Sequence, residues 1–338
     1  MNRITIAVVC RFLNLSLPLM GLCLFCSCNG AGALRGSTPS PDDPAAGLLP
    51  MPETGARRAT LHAEEVRKTP DLVAFWDFQE PGGEDRVSKG PVPYRLREQA
   101  GAVERIAPRG GAPFGPHAAL LKERQWLRVP RTEMGDLDIH GPDARVTVIA
   151  WLVRHMKSDD NCEAVAGVWD EPLNKRQYCL FISIPRNKHH PLQPLFDRVS
   201  GHVSDVGGPT PGFPKCRDVA RSRTAVPHDE WPCIGFTYDG KEVRAYYNGR
   251  FELFEGNNPY AFPNGIYDGG REGVAFRVGV SDEVRPSRNW FAGVLGGLAV
   301  FKRALGDEEM LRLAVATEEL RRSTSDPTDG RKNGVDRN

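Results

Sequence analysis

The chain has 338 residues, of which 44 are Lys or Arg and 43 are Asp or Glu, so its formal net charge is +1. A balanced charge gives no global field that would attract nucleic acid or an anionic membrane surface, and we expect neither as a partner. The length suffices for one large all-β domain with tails, since sandwiches of roughly 200–250 residues routinely form a single domain.

Residues 1–28 have the pattern of a signal peptide. Arg3 and Arg11 supply positive charge, and the apolar stretch that follows is too short and too interrupted by polar residues to span a membrane. We therefore predict an exported protein. Residues 24–28, Leu-Phe-Cys-Ser-Cys, resemble a bacterial lipobox, which implies a lipid anchor at Cys28 in the cell envelope, on the periplasmic or the outer surface. Simple cleavage is the alternative, with these cysteines as apolar filler.

Residues 29–70 are rich in Gly, Ala, Pro and Ser and are predicted to form a flexible linker, in which residues 61–68 add one helical turn. Short strands separated by turn clusters follow, and residues 146–153 are apolar at nearly every position, as in a central strand. The predicted strands are 72–78, 117–121, 125–129, 145–154, 164–169, 177–184, 199–205, 220–226, 231–238, 242–247, 273–280 and 293–301.

These strands indicate a two-sheet sandwich over residues 71–305. Residues 306–322 are amphipathic at helical spacing and predict a C-terminal helix that packs on the sandwich. The polar residues 323–338 are predicted to be a disordered tail.

The most informative pattern lies in residues 231–249 and 291–309. The first block alternates aromatic, β-branched and polar residues, with turn formers at Asp239-Gly240 and Asn248-Gly249, which is a strong hairpin signal. The second is an apolar strand that leads into a helix start. With residues 72–78, 125–130 and 146–152, these blocks resemble the laminin G-like (LamG-like), concanavalin A-like family, and residues 231–233 and 291–305 also resemble pentraxins. The resemblance implies an all-β, antiparallel jelly-roll sandwich.

The resemblance bears on calcium and on catalysis. Many relatives carry acidic residues where this chain has Gln79 and Gly296-Gly297, which leaves Asp77 and Glu80 as weak candidate Ca2+ ligands. Laminarinase-like glycosidases on this scaffold place their catalytic acids on one strand as Glu-x-Asp-x-x-Glu, and no strand here has that pattern. Serine-hydrolase and nucleotide-binding motifs are absent as well. We predict no catalytic residues and no enzymatic activity.

Four cysteines follow the signal peptide, an even number that indicates two disulfides in an exported chain. A hairpin centred on Glu171-Pro172 would place Cys162 opposite Cys179, and the Cys216–Cys233 bridge then follows by elimination. Four buried thiols are the alternative.

Three unusual loops indicate a binding rim. They lie in residues 168–178, 202–212 and 257–270, and loops carry function while the sheets stay rigid. An aromatic ring beside carboxylates and donors suits a sugar, whose C–H face stacks while its hydroxyls form directional bonds. The candidate ligand-binding residues are Trp169, Asp170, Arg176, Tyr178, His202, Asp205 and Tyr260. In the alternative interpretation, Trp169 caps the core edge and Arg176 pairs with Asp170 on the surface.

We therefore expect a non-catalytic binding module of the cell envelope that recognises carbohydrate or a protein partner through its strand-connecting loops. The membrane is contacted only through the lipid anchor. Two alternatives stay open: a degenerate or divergent concanavalin A-like glycosidase, and a purely structural envelope domain.

Overall fold

The structure, a computed structural model, describes residues 53–159, 161–183, 196–283 and 289–325. The predicted signal peptide, the lipidation site Cys28, the first part of the linker and most of the predicted tail lie outside the described residues.

The described residues form two α-helices, two short 3-10 helices and seventeen strands, named in chain order. They are α1 (Glu53–Lys68), β1 (Leu72–Trp76), β2 (Arg86–Val87), β3 (Arg95–Gln99), β4 (Glu104–Ile106), β5 (Ala118–Leu121), β6 (Trp126–Val129), the 3-10 helices Arg131–Glu133 and Gly135–Leu137, β7 (Val146–Arg154), β8 (Glu163–Val168), β9 (Tyr178–Ser183), β10 (Arg198–Val203), β11 (Val219–Ala225), β12 (Cys233–Tyr238), β13 (Glu242–Tyr247), β14 (Arg250–Phe251), β15 (Tyr260–Ala261), β16 (Phe276–Val278), β17 (Gly293–Phe301) and α2 (Asp307–Ser325).

The strands build two antiparallel sheets. The first has nine strands in the order β14-β13-β12-β7-β17-β5-β4, with β1 also paired to β17 and β15 to β13. The second has eight strands in the order β11-β10-β9-β8-β16-β6-β3-β2. All twelve predicted strands are present, and the prediction of an all-β, two-sheet antiparallel sandwich with a C-terminal helix is confirmed.

The central strand β7 shows why the two faces of the first sheet differ. Its nine residues are all buried, and successive side chains point to opposite faces. Val148, Ala150 and Leu152 lie in the core between the sheets. Ile149 and Trp151 face the other way, into a second apolar cluster against the helices.

The two helices cover the outer face of the first sheet. Met310 and Leu313 of α2 pack in the same cluster as Val66 of α1. The indole Nε1 of Trp151 donates a hydrogen bond to the carbonyl of Leu313 (3.0 Å), and the ring meets Phe114 edge to face at 4.8 Å. No helix among the described residues is long and apolar enough to cross a membrane.

The predicted turn residues form the hairpins as expected. The Asp239 carboxylate accepts hydrogen bonds from the backbone N–H groups of Lys241 (2.8 Å) and Glu242 (2.9 Å) between β12 and β13. Asn248 and Gly249 have φ values of 50° and 70°, and they connect β13 to β14. A two-residue hairpin turn with positive φ at both positions favours Asn-Gly, and this explains that dipeptide here.

One difference from the sequence expectation lies in the predicted linker. Helix α1 spans 16 residues from Glu53, whereas the sequence predicts one helical turn at residues 61–68. Two features stabilise the helix. Ala59 (5% exposed) and Val66 (1%) are buried on one side, and Lys68 pairs with Glu64 at 3.0 Å on the other. The flexible-linker prediction is therefore wrong for residues 53–68.

Candidate ligand-binding site

The three loops predicted to bind ligand meet at one end of the sandwich. The backbone N–H of Arg176 donates to the carbonyl of Gly207 (3.1 Å), and the N–H of Tyr267 donates to the carbonyl of Ser204 (2.7 Å). Lys175 Nζ donates to the Tyr267 hydroxyl at 3.3 Å. Residues 131–140 lie in the same region, because Gln177 Nε2 donates a hydrogen bond to Asp138 Oδ1. We call residues 131–140, 170–177, 204–208 and 266–273 the loop end.

The polar side chains of the loop end hold one another in place. Arg131 donates two hydrogen bonds to the Asp138 carboxylate, both at 2.6 Å, and Gln177 Nε2 donates to Asp138 Oδ1 at 3.0 Å. His140 lies between two carboxylates, with Nε2 3.7 Å from Asp138 Oδ2 and Nδ1 3.7 Å from Asp268 Oδ2. The side chains of His140 and Asp268 are 35% and 59% exposed, so these groups can reach a ligand.

Tyr267 supplies the aromatic ring of the loop end. A Cβ built on Gly207 would lie 2.8 Å from the Tyr267 ring, and Gly207 has φ of 70°, so only glycine lets the loop approach the ring. The ring is half-buried, and the exposed apolar side chains of Leu173 (53%) and Val206 (45%) belong to the two adjacent loops. Tyr267 was not among the predicted site residues, although the Tyr-Asp-Gly-Gly run at 267–270 is its sequence signal.

Trp169 and Asp170 do not lie on an exposed rim. Trp169 is 1% exposed and packs edge to face on Phe181, with ring centroids 5.8 Å apart. Asp170 is completely buried and forms an ion pair with Arg277 at 3.1 Å. The predicted exposed position of Trp169 is therefore wrong, and so is the alternative pairing of Asp170 with Arg176.

Tyr178 is also misplaced by the prediction. It is completely buried in the core, where its hydroxyl donates to the carbonyl of Leu137 (2.6 Å), and burial raises its pKa well above the usual range. The Tyr260 hydroxyl donates to Asp218 at 2.9 Å, and burial together with that carboxylate raises the pKa of Tyr260 to about 12. Asp205 is half-buried and lies at the loop end, as predicted.

Three predicted site residues do come together, on the outer face of the second sheet. The Trp169 and His202 rings are 5.5 Å apart, the His202 and Phe181 rings are 4.9 Å apart, and the Arg176 guanidinium lies 6.0 Å from the Trp169 ring. Burial, then the charges of Arg221 and Arg176, lower the pKa of His202 to about 3, so its ring is neutral at pH 7. We call Trp169, Arg176, Phe181, His202 and Arg221 the outer-face cluster.

The candidate calcium ligands face a lysine. Lys89 Nζ lies 2.7 Å from Glu80 Oε1 and 3.9 Å from Asp77 Oδ1, so an ammonium group already offsets part of the negative charge of this pair. Burial raises the pKa of Asp77, which further disfavours a charged carboxylate there. In the described part of the chain no group of three His, Cys, Asp or Glu residues could hold a metal ion. The donor set does not fit calcium.

The predicted disulfides are not formed, and strand register explains why. All four cysteines are thiols in the described residues. Strands β8 and β9 pair Gly167 with Cys179 and Glu163 with Ile182, so Cys162 lies several residues away from Cys179 along the hairpin. Cys216 packs against the apolar cluster around Cys179, whereas Cys233 faces the helices behind the other sheet. Both predicted pairings are wrong.

The geometry defines a two-sheet β-sandwich with a polar loop end and a basic outer face. No protein-family model and no curated protein sequence matches this chain, and the laminin G-like resemblance stays a prediction.

Several solved structures are similar in fold. One is domain 4 of AbnA, an extracellular GH43 arabinanase from Geobacillus stearothermophilus in complex with arabinotriose, at 14% identity and a TM-score of 0.47, with 72% of this chain and 98% of that chain covered. A mutant Trypanosoma rangeli sialidase displaying trans-sialidase activity has 9% identity and a TM-score of 0.49, with 79% of this chain but 39% of that chain covered. The binding domain of botulinum neurotoxin serotype G has 10% identity and a TM-score of 0.44, with 72% and 50% covered.

Proposed function

We propose that this protein is a carbohydrate-binding module that recognises its ligand with the loop end. The observation that carries the proposal is the half-buried Tyr267 ring, held by Lys175 and bordered by the exposed side chains of His140 and Asp268. A sugar presents an apolar C–H face that stacks on such a ring and hydroxyls that bond to such carboxylates and nitrogens.

The supporting groups are fixed before a ligand arrives. Asp138 is held by Arg131 and Gln177, and the loops are joined by backbone hydrogen bonds from Arg176 and Tyr267. A preorganised site loses less conformational entropy on binding, which favours affinity for a small polar ligand.

Binding without catalysis is the better supported role. A glycosidase needs two carboxylates that are available on either side of the scissile bond. Here Asp138 is bonded to Arg131, Asp170 to Arg277, and Asp218 to hydroxyl groups of Tyr260 and Thr210, so these acids are engaged in structural contacts. Incubation with the glycan that binds should therefore release no product, and hydrolysis would contradict this part of the proposal.

The proposal is tested by screening the purified protein on a glycan array and measuring the affinity of any glycan found. Tyr267→Ala should weaken binding by roughly twofold to tenfold or more, because a stacking ring contributes roughly 0.5–1.5 kcal/mol beyond its buried area. Asp268→Asn should weaken it by removing a charged acceptor while keeping the shape of the side chain.

Phe213→Ala is the matched control, since it removes a ring that is 51% exposed and lies outside the loop end. The affinity of this variant for the glycan should equal that of the wild-type protein. An array without any bound glycan, or equal losses for Tyr267→Ala and Phe213→Ala, would reject the loop end as a sugar site.

We also propose that the protein is exported and held in the cell envelope through a lipid on Cys28. The support is the lipobox-like run at residues 24–28 after an apolar stretch. Cys28→Ser should move the protein from the membrane fraction to the soluble fraction, and unchanged fractionation would exclude the anchor.

A further inference from the structure

Strand register gathers basic side chains on the outer face of the second sheet. Ser200 of β10 pairs with Arg221 of β11, and His202 lies two residues further along the same face, so Arg221 and His202 are diagonal neighbours. The Trp169 ring is 5.5 Å from the His202 ring, and the Arg176 guanidinium lies 6.0 Å from the Trp169 ring. Two guanidinium groups therefore flank one neutral imidazole.

Several buried polar nitrogens of this group have no hydrogen-bond partner among the described residues. Trp169 Nε1 and Arg176 Nε belong to side chains that are 1% and 5% exposed, and neither atom has a hydrogen-bond partner. His202 Nδ1 is also without a partner. The remaining Arg176 contacts, to Asn174 Oδ1 and the Glu171 carbonyl, are long at 3.4 Å. Buried donors without partners are costly, so their clustering needs an explanation.

Neither Arg176 nor Arg221 forms an ion pair with a carboxylate of the described residues. The nearby Asp218 accepts hydrogen bonds from Tyr260 and Thr210 instead. A buried charge without a counter-ion destabilises the folded state.

Arg277 shows how the same sheet satisfies a buried arginine. Its guanidinium is bonded to Asp170 (3.1 Å), to Glu283 (3.1 Å) and to the carbonyls of Trp169 and Ser281 (both 2.7 Å). Arg277 is thus fully compensated, whereas no carboxylate of the described residues forms an ion pair with Arg176 or Arg221. The sheet can therefore pair a buried arginine with carboxylates, and in the part of the chain that the structure describes it does not do so in the outer-face cluster.

We propose that the outer-face cluster binds an oxyanion, a carboxylate or sulfate group, between Arg176 and Arg221. Guanidinium groups bind such planar or multivalent anions through paired, charge-assisted hydrogen bonds, and the unpartnered Trp169 N–H adds a neutral donor. His202 and Arg221 are half-buried, so the group is reached from solvent. This site lies on the sheet face and does not depend on sugar binding at the loop end.

Calorimetry with sodium glucuronate and sodium sulfate, each at constant ionic strength, tests the proposal, with glucose as the uncharged control. Glucuronate or sulfate should bind and glucose should not bind at this site. If only sulfate binds, the outer-face cluster takes a free inorganic anion. If glucuronate also binds, the cluster accepts the carboxylate of a sugar. Arg221→Met and Arg176→Met should each weaken binding tenfold or more.

The matched control is Arg223→Met, which removes the same charge from an exposed position on the same strand. Its affinity should equal that of the wild-type protein. Arg221→Met should in addition raise the melting temperature of the ligand-free protein, because it removes a charge that has no partner. Equal affinity in Arg221→Met and Arg223→Met, or a large drop in melting temperature for Arg221→Met, would overturn the proposal.

A measurement on the wild-type protein does not depend on whether a variant folds. A bound anion should raise the pKa of His202, which NMR of the ring nitrogens reports, since negative charge favours the protonated imidazole. An unchanged His202 titration in saturating glucuronate and sulfate also overturns the proposal. Anion binding with an empty glycan array would reject only the loop-end function, and glycan binding without anion binding would reject only this inference.

Discussion

Arg277→Met tests whether a buried ion pair holds the outer face of the second sheet together. Methionine keeps the length and most of the volume of the arginine stem but removes the guanidinium. The Arg277 side chain is 3% exposed, and its partner Asp170 is completely buried. The substitution therefore leaves a buried carboxylate without its counter-ion, as well as two carbonyls without a donor.

Breaking one side of a buried ion pair costs about 3–5 kcal/mol of unfolding free energy. In a domain of this size each kcal/mol corresponds to about 2–4 °C, so the melting temperature should fall by roughly 6–20 °C. Urea unfolding followed by circular dichroism gives the free energy, and a thermal scan gives the midpoint. Asp170→Asn in the same background should cost less than in the wild-type protein, because the two residues act as one unit.

Arg128→Met is the matched control, since Arg128 pairs with Arg277 in strand register. Its side chain is 38% exposed, and it reaches Glu283 only at 3.4 Å. Loss of such a surface pair should cost no more than about 1 kcal/mol. If Arg277→Met and Arg128→Met cost the same, the buried ion pair does not stabilise the sheet face.

Three further predictions concern buried groups. Burial raises the pKa of Glu163 from 4.5 to about 7 against the opposing charge of Arg154, so its contribution to stability is full below pH 4.5 and is lost as the pH rises through 7; Glu163→Gln should remove this pH dependence, and an unchanged pH profile of unfolding would contradict it. Trp169→Ala should cost about 3–5 kcal/mol, as much as Trp151→Ala, since both indoles are buried; thermal unfolding of the two variants compares them, and a small loss for Trp169→Ala would place that ring on the surface after all. Burial raises the pKa of Cys216 to about 12, so this half-buried thiol should react slowly with iodoacetamide at pH 8 in the native protein and rapidly in urea; rapid native labelling, or a disulfide in peptide mapping, is the contrary result.

The fold was predictable because each strand carries its own signal. Period-2 alternation and turn formers such as Asn248-Gly249 are local, and local signals need no knowledge of the partner strand. The short charged strand β3 was missed for the opposite reason. Its residues Arg95–Gln99 have little apolar alternation, and β3 forms because it pairs with β6.

The site residues were harder to place because their positions depend on register. Pairing between β8 and β9 shifts by one residue between Ala164 and Ala166. A shift of that kind changes which side chains share a face of the sheet. The predicted Cys162–Cys179 bridge assumed a hairpin about Glu171-Pro172, whereas the observed pairing of Gly167 with Cys179 places the hairpin further along the chain, and no sequence pattern indicates this register.

Ion-pair partners were unpredictable for a related reason. Asp170 and Arg277 are 107 residues apart in the chain, and they meet because β16 lies beside β8. From the sequence alone, Arg176 was the nearest arginine to Asp170 and the natural partner. Among the described residues, Arg176 instead forms no ion pair with a carboxylate.

Arg176 links the two proposed binding regions. Its backbone N–H is bonded to Gly207 in the loop end, while its guanidinium lies over Trp169 in the outer-face cluster. A glycan with an acidic group could therefore place neutral hydroxyls near Tyr267 and its acid near Arg221 in one binding event. In that case the combined effect of Tyr267→Ala and Arg221→Met on affinity would be non-additive, because both substitutions would act on one ligand. If the two regions bind separate ligands, the effects of the two substitutions on affinity would be additive. Each substitution would then change only the titration with the ligand of its own region.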